Sequence, residues 1–377
     1  MEIFSSALRL TSGVQTASRA VGRWFPRPRI LSPSAAGVDI SDSSIKWLTL
    51  DEGQGSKSVR AFGEESLEAG IVTNGVVKDV AQLGEALKSI APKLGAEGAH
   101  AALPEEAAYM FNMHVPENSS REQTLSVIEF ELEGRVPIPP SAALYDFDVI
   151  MRHDATEGEE IGVTVFPREI AESYAKAFSL AGVPLLSLEV EASSIARAVS
   201  GDAKDEHITL LVDFGRRRTG IAVLKRGVPI FTSTVAVGGE AIDRMIEEKL
   251  SLPPEQAVAF KNDQGLLAQE GKSSPATEAI TNTVSALAEE VVRHHQYWDT
   301  RRNEQGSRMT PVERVFLVGG SANLKGLGDY ISSRVQVECE RPNLWRNVCS
   351  FDEYIPPIDR RTSLRYATAI GLALRSF

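Results

Sequence analysis

The chain has only two cysteines, Cys339 and Cys349, ten positions apart, with no metal-ligand spacing and no partner histidines. That pattern implies neither a disulfide framework nor a zinc site, and a reduced cytoplasmic setting is the expectation. No run approaches the ~18 apolar residues of a spanning helix, so no transmembrane segment is expected. A basic surplus is also lacking: 40 Lys and Arg against 51 Asp and Glu give a net charge of -11, which argues against nucleic acid as a partner. What is present is 377 residues, 42% hydrophobic and 24% charged, enough for two or three domains with their own cores.

Residues 1–35 stand apart. In the first thirty, Arg9, Arg19, Arg23, Arg27 and Arg29 face a single Glu2, a net of +4 in an acidic protein. Apolar residues recur at Ile3, Ala7, Leu10, Val14, Ala17, Val21 and Trp24 at helical spacing. There is no uninterrupted apolar core or clean cleavage site of a secretory signal. Two readings stay open: an amphipathic helix giving a peripheral membrane or partner contact through residues 1–30, or a loose extension ended by Pro26 and Pro28.

The strongest feature is a repeat. Val38-Asp39-Ile40-Ser41 followed by Ile45 to Leu50 superimposes without a gap on Val212-Asp213-Phe214-Gly215 followed by Thr219 to Leu224, 174 positions later. Each copy reads as an apolar strand ending in Asp, a tight polar turn and a returning strand. A strand-end aspartate beside such a turn can hold a hydrated divalent cation, while N–H groups and hydroxyls meet phosphate oxygens. In the first copy Asp42, Ser43 and Ser44 supply the turn and Lys46 a point charge. In the second, Gly215 permits close backbone approach, Thr219 offers a hydroxyl, and at most one or two of Arg216, Arg217 and Arg218 can point inward. A third element, the strand Arg314 to Val318 running into Gly319-Gly320-Ser321, suits a ribose or a planar ring, with free N–H groups expected from a helix after it.

Elsewhere the spacing predicts helices over about 80–94 after an Asp79 N-cap, 121–135, 167–180, 239–250 opened by Gly238-Gly239, 254–265, 277–302 and 363–374. Strands are expected at 58–62, 99–103, 109–115, 146–151, 161–166, 185–191 and 229–235. Hairpins alternating with helices, in duplicate, point to an α/β protein of two lobes.

The order of the two Asp turns and the late Gly-Gly is similar to that of the actin-like ATPase superfamily, which includes sugar kinases and the heat-shock chaperone ATPase. Within it the chain resembles the PilM family of type IV pilus assembly proteins, relatives of the cell-division protein FtsA. Supporting segments are Gly75-Val76-Val77-Lys78-Asp79, Phe130-Glu131-Leu132 running into Arg135-Val136-Pro137, Asp146 to Ile150, and Ala181-Gly182-Val183. The resemblance covers about residues 36–377.

It implies a two-lobed actin-like ATPase fold with a small α+β domain inserted in the first lobe. The expected boundaries are 36–98 and 167–205 for the first lobe, 99–166 for the insertion and 206–377 for the second lobe. It implies ATP with Mg2+ between the lobes, with Asp39 and Asp213 facing the metal. The cofactor-binding set is then Asp39, Ser41, Asp42, Ser43, Ser44, Lys46, Asp213, Gly215, Arg216, Thr219, Gly238, Gly239, Lys261, Gly319, Gly320 and Ser321. Glu191 resembles the acidic residue that orients metal or water in some relatives and is the catalytic candidate; Lys261 matches a lysine near the base. The usual first loop has glycine where this chain has Ser41, which favours nucleotide binding over turnover. The implied role is a scaffold at the inner face of the plasma membrane that docks the cytoplasmic tail of a PilN-like inner-membrane protein, contacts other pilus machine components and self-associates. The alternatives are a phosphotransferase of sugar-kinase type, for which no aspartate base with a substrate-shaped context is found, and an FtsA-like filament protein.

Overall fold

The structure, a computed structural model, describes residues 34–52, 56–152, 158–201, 205–266, 275–302, 306 and 308–377. The expectation for residues 1–33 lies outside the described residues.

The chain enters on β1 (Ala35–Ile40), buried along its whole length, and returns antiparallel as β2 (Ser44–Glu52) and β3 (Lys57–Ser66). A short hairpin of β4 (Val72–Thr73) and β5 (Val76–Val77) leads to α1 (Val80–Ile90). Asp79 caps that helix by accepting the Gln82 N–H at 2.9 Å, and Leu83, Leu87 and Ile90 form its buried stripe. Then comes β6 (Gly98–Leu103), which pairs parallel to β1.

β7 (Tyr109–Val115), α2 (Arg121–Arg135), β8 (Ala143–Arg152) and β9 (Glu159–Pro167) follow, with the three strands ordered β7-β9-β8 in an antiparallel sheet. Ser120 and Gln123 form a reciprocal capping box that starts α2. Ile128 and Leu132 of that helix close a separate apolar cluster with Phe111, Met113, Ile161, Val163 and Val165. This layer therefore has its own small core.

The chain rejoins the first sheet through α3 (Arg168–Ala181), ended by Gly182 at φ +70°, and β10 (Leu185–Val190). The first sheet is ordered β10-β6-β1-β2-β3. After α4 (Glu191–Val199) the pattern repeats. β11 (Ile208–Phe214), β12 (Thr219–Lys225) and β13 (Val228–Val235) form an antiparallel meander. Helices α5 (Gly239–Leu250), α6 (Pro254–Gln264) and α7 (Pro275–Thr300) intervene. β14 (Val312–Val318) then pairs parallel to β11, α8 (Leu327–Val335) follows, and β15 (Glu338–Glu340) pairs parallel to β14. The second sheet, β13-β12-β11-β14-β15, thus has the strand plan of the first. The chain closes with α9 (Arg360–Ser363) and α10 (Ala367–Ala373).

Two expectations need correction. The expected boundary puts the strand at 99–103 in the insertion, but β6 lies in the first sheet between β1 and β10. Its fully buried run fits a central parallel strand, whereas alternation alone does not say which sheet a strand joins. The single closing helix over 363–374 is instead broken: a 3-10 turn at Leu364–Tyr366 separates α9 from α10.

Candidate functional site

The C-terminal ends of the parallel strands of both sheets open on one cleft of about 230 Å³. Asp39 lies next to the end of β1, Glu105 and Glu106 follow β6, Glu191 follows β10, Asp213 lies next to the end of β11 and Gly319 follows β14; all six line it. A crevice at strand carboxyl ends is where open parallel sheets place ligands.

The two turns of the repeat are closed by the same backbone bond. Ser41 N–H donates to the Ser44 carbonyl at 2.9 Å, and Gly215 N–H to the Arg218 carbonyl at 3.1 Å. The Ser41 hydroxyl stays within its turn, donating to the Ser44 carbonyl at 3.0 Å and accepting the Ser44 N–H at 3.1 Å. Where the expected glycine is missing, a side-chain bond thus tightens the loop.

Asp39 pairs with Lys46 at 3.5 Å, its cross-strand neighbour. Asp213 is half-buried, and desolvation together with the nearby Asp39 charge raises its pKa to about 6. Gly319 packs against it: at φ +89°, a Cβ there would lie 2.4 Å from Asp213 Oδ1, so only glycine lets the strand end come so close. Burial and the charge of Asp39 raise Glu191 well above the usual carboxylate range. Ser43, Ser44, Gly215, Arg216, Gly320 and Ser321 line the same cleft.

Other predicted residues stand behind it. The Thr219 hydroxyl is fully buried and donates to the Val237 carbonyl at 2.6 Å, so it is not offered to a phosphate. Gly238 packs on the backbone of Arg216 and Arg217, and Gly239 N–H donates to the Gly215 carbonyl at 3.1 Å. Lys261 pairs with Asp243 at 2.6 Å and sits against Gly239. Gly238, Gly239 and Lys261 therefore brace the second turn from outside the cleft lining. The helix expected after Gly319-Gly320 is only a 3-10 turn, Gly320–Asn323, so no row of free helical N–H groups follows directly.

Asp42 lines the cleft, but its carboxylate is engaged. It accepts the N–H groups of Asn74 and Gly75 at 3.0 Å each and pairs with Arg218 at 3.3 Å. Arg218 also binds Glu106 through Nε. Glu105 is buried against Gly220 of the second lobe, where a Cβ would lie 2.2 Å from its Oε2. Burial, then the charge of Asp213, lifts Glu105 to about 8. Sequence reasoning missed Glu105 and Glu106 as site residues. Their signal is position: they come just after a strand parallel to β1, a strand that the expected boundary at 99 assigns to the insertion.

The family model described as Type IV pilus assembly protein PilM matches residues 37–377. A solved structure described as a PilM-PilN type IV pilus biogenesis complex is similar over 93% of this chain and 99% of that chain, with 20% identity and a TM-score of 0.75. The ethanolamine utilization protein EutJ from Carboxydothermus hydrogenoformans is 18% identical, with 91% of this chain and 89% of that chain covered and a TM-score of 0.52. MreB5 of Spiroplasma citri bound to ADP is 12% identical, with 89% and 94% covered and a TM-score of 0.51. These likenesses show the fold, two actin-like lobes.

Proposed function

The chain belongs to the type IV pilus assembly protein PilM family, and from that premise we propose that it is an ATP-binding scaffold of a pilus machine. The observation that carries this reading is the pairing of Asp39 and Asp213 in one cleft, each beside a turn closed in the same way. Hard carboxylate oxygens, with Asp213 and Asp39 crowded enough to raise a pKa, fit a hydrated Mg2+. Asp39 and Asp213 would hold it, and the metal would supply charge neutralisation for the phosphates. Ser43, Ser44 and Gly215 would meet phosphate, and Gly319, Gly320 and Ser321 the nucleoside side.

Holding nucleotide is favoured over fast turnover. The first turn carries Ser41 where the second has Gly215, and its hydroxyl is bonded within the turn, so the first turn leaves less room for the close approach of a phosphate. Bound nucleotide would bias how the lobes close, which is how a binding event sets a scaffold's state.

The partner is read as the cytoplasmic tail of a PilN-like inner-membrane protein, docked beside the β7-β9-β8 layer, which we take as the inserted unit of the first lobe. The similar structure described as a PilM-PilN complex supports this. An extended tail suits main-chain pairing with a few apolar anchors. The protein would then act at the cytoplasmic face of the membrane; no described helix is long and apolar enough to cross one.

Calorimetry with ATP and Mg2+ tests the nucleotide reading. Wild type should bind and Asp213→Ala should lose binding by tenfold or more; a silent wild type sinks it. Pull-down of inner-membrane proteins with and without residues 109–166 tests docking, and full retention of partners after deletion would refute it.

A further inference from the structure

Three consecutive arginines in the second turn have different fates. Arg216, 67% exposed at its side chain, leans on Glu240 at 3.7 Å. Arg217 shares Glu240 at 3.6 Å and reaches Asp42 only at 3.9 Å. Arg218 is 19% exposed and turns inward, across the cleft, to Asp42 and Glu106 on the first-lobe side.

We infer that Arg218 is a latch between the lobes that sets nucleotide affinity by exchanging a carboxylate for a phosphate group. The inference rests on the nucleotide reading above and concerns a residue that reading does not use.

The two carboxylates it holds are not equivalent. Asp42 is fixed by two backbone N–H groups at 3.0 Å, so its charge is stabilised whether or not Arg218 stays. Glu106 sits on the short 3-10 turn after β6, and its described ion-pair partner is Arg218. Glu106 is thus the arm that can be released. Burial lifts its pKa above the ordinary carboxylate range, with the Arg218 charge opposing that shift.

The guanidinium is the right group for such an exchange. It is planar, always charged, and presents paired donors that match a phosphate as well as a carboxylate. The cleft, about 230 Å³, falls below the roughly 300–1,000 Å³ of typical small-molecule sites, and Arg218 spans it. A ligand with phosphate groups would therefore meet Arg218 on entry, and each Glu106–Arg218 contact kept would oppose it. Arg218 comes from the second turn, and Asp42 and Glu106 follow β1 and β6. The same exchange would loosen a tie between the lobes.

The test is a double-mutant cycle on the full chain, titrated with Mg-ATP by calorimetry and melted without nucleotide. Glu106→Gln should bind about five- to tenfold more tightly than wild type while melting at a lower temperature. Arg218→Met should bind about tenfold more weakly, and the double variant should match Arg218→Met, because the gain requires the freed guanidinium. Arg218→Lys, which keeps charge but loses the fork, should fall between. If Arg218→Met fails to fold, a Lys variant that binds no more weakly than wild type overturns the latch. An unchanged or weaker Glu106→Gln affinity alongside the lower melting temperature also overturns it, leaving a structural ion pair only. Silence from the wild type and every variant overturns the nucleotide reading and the latch with it, whereas binding that no variant alters overturns the latch alone.

Discussion

Burial of Glu105 beside Asp213 ties the stability of the fold to pH. Its folded pKa of about 8 lies above the ordinary 4.5, so the folded state keeps a proton that the unfolded state has released between those values. The stabilisation from this group is complete below about 4.5 and is lost as pH rises through about 8. Glu105→Gln keeps the shape and removes the titration. In urea unfolding at pH 5, 7 and 9, the glutamine variant should gain on wild type as pH rises, by on the order of a few kcal/mol at most. Stability curves that run parallel across this range would refute the assignment. Asp39 and Asp213 were legible in the sequence because each ends a strand inside a repeat. Lys46 was legible as a charge, but not as the cross-strand partner of Asp39. Thr219 misled because a hydroxyl in a turn looks available until the neighbouring carbonyl of Val237 is seen to take it.

At the scale of elements, the packing of α10 fixes where Glu191 stands. A Cβ on Gly371 of α10 would lie 1.8 Å from the Ser194 carbonyl of α4, and one on Gly37 of β1 would lie 2.1 Å from the Ala369 carbonyl. Both glycines let α10 sit directly on its neighbours, and α4 begins with Glu191 at the cleft. Gly371→Ala should therefore cost about 1–3 kcal/mol, since a backbone carbonyl cannot rotate away as a side chain would. Gly134 near the end of α2 has nothing within 4 Å of a Cβ. Gly134→Ala should be neutral or stabilising by up to about 1 kcal/mol, as expected when alanine replaces glycine in an open helix. Thermal melts of the two variants distinguish crowding from a generic intolerance of substitution; equal losses would contradict this account. Most elements could be read from apolar spacing and caps, and the expected helix over 121–135 coincides with α2. The membership of β6 and the break before α10 could not. Both depend on partners distant in sequence, which local periodicity does not encode.

For the whole molecule, duplication of the strand plan made the two lobes legible, while the seat of the β7-β9-β8 layer was not. That layer leans on the second lobe as well as the first. Glu160 of β9, 2% exposed, accepts Lys225 of β12 at 2.6 and 2.9 Å and Asn112 of β7 at 2.8 Å. Nearby, a Cβ on Gly162 would lie 2.7 Å from the Val228 side chain of β13. Any movement of the lobes must therefore carry this layer with it or break a buried ion pair. Removing Lys225 leaves the Glu160 carboxylate buried and short of a counter-charge, a loss of about 3–5 kcal/mol for pairs of this kind. Lys225→Met should lower the melting temperature and raise hydrogen exchange in β7 and β9, while β1 and β2, remote from the pair, stay protected. Adding Glu160→Gln should recover much of the loss, because the amide needs no counter-charge and can still bond to Asn112. If the tail of a PilN-like protein docks beside this layer, Lys225→Met should also weaken a synthetic tail peptide several-fold in fluorescence anisotropy, and the double variant should bind more nearly as wild type does. Peptide affinity that is insensitive to both changes would place docking elsewhere on the molecule.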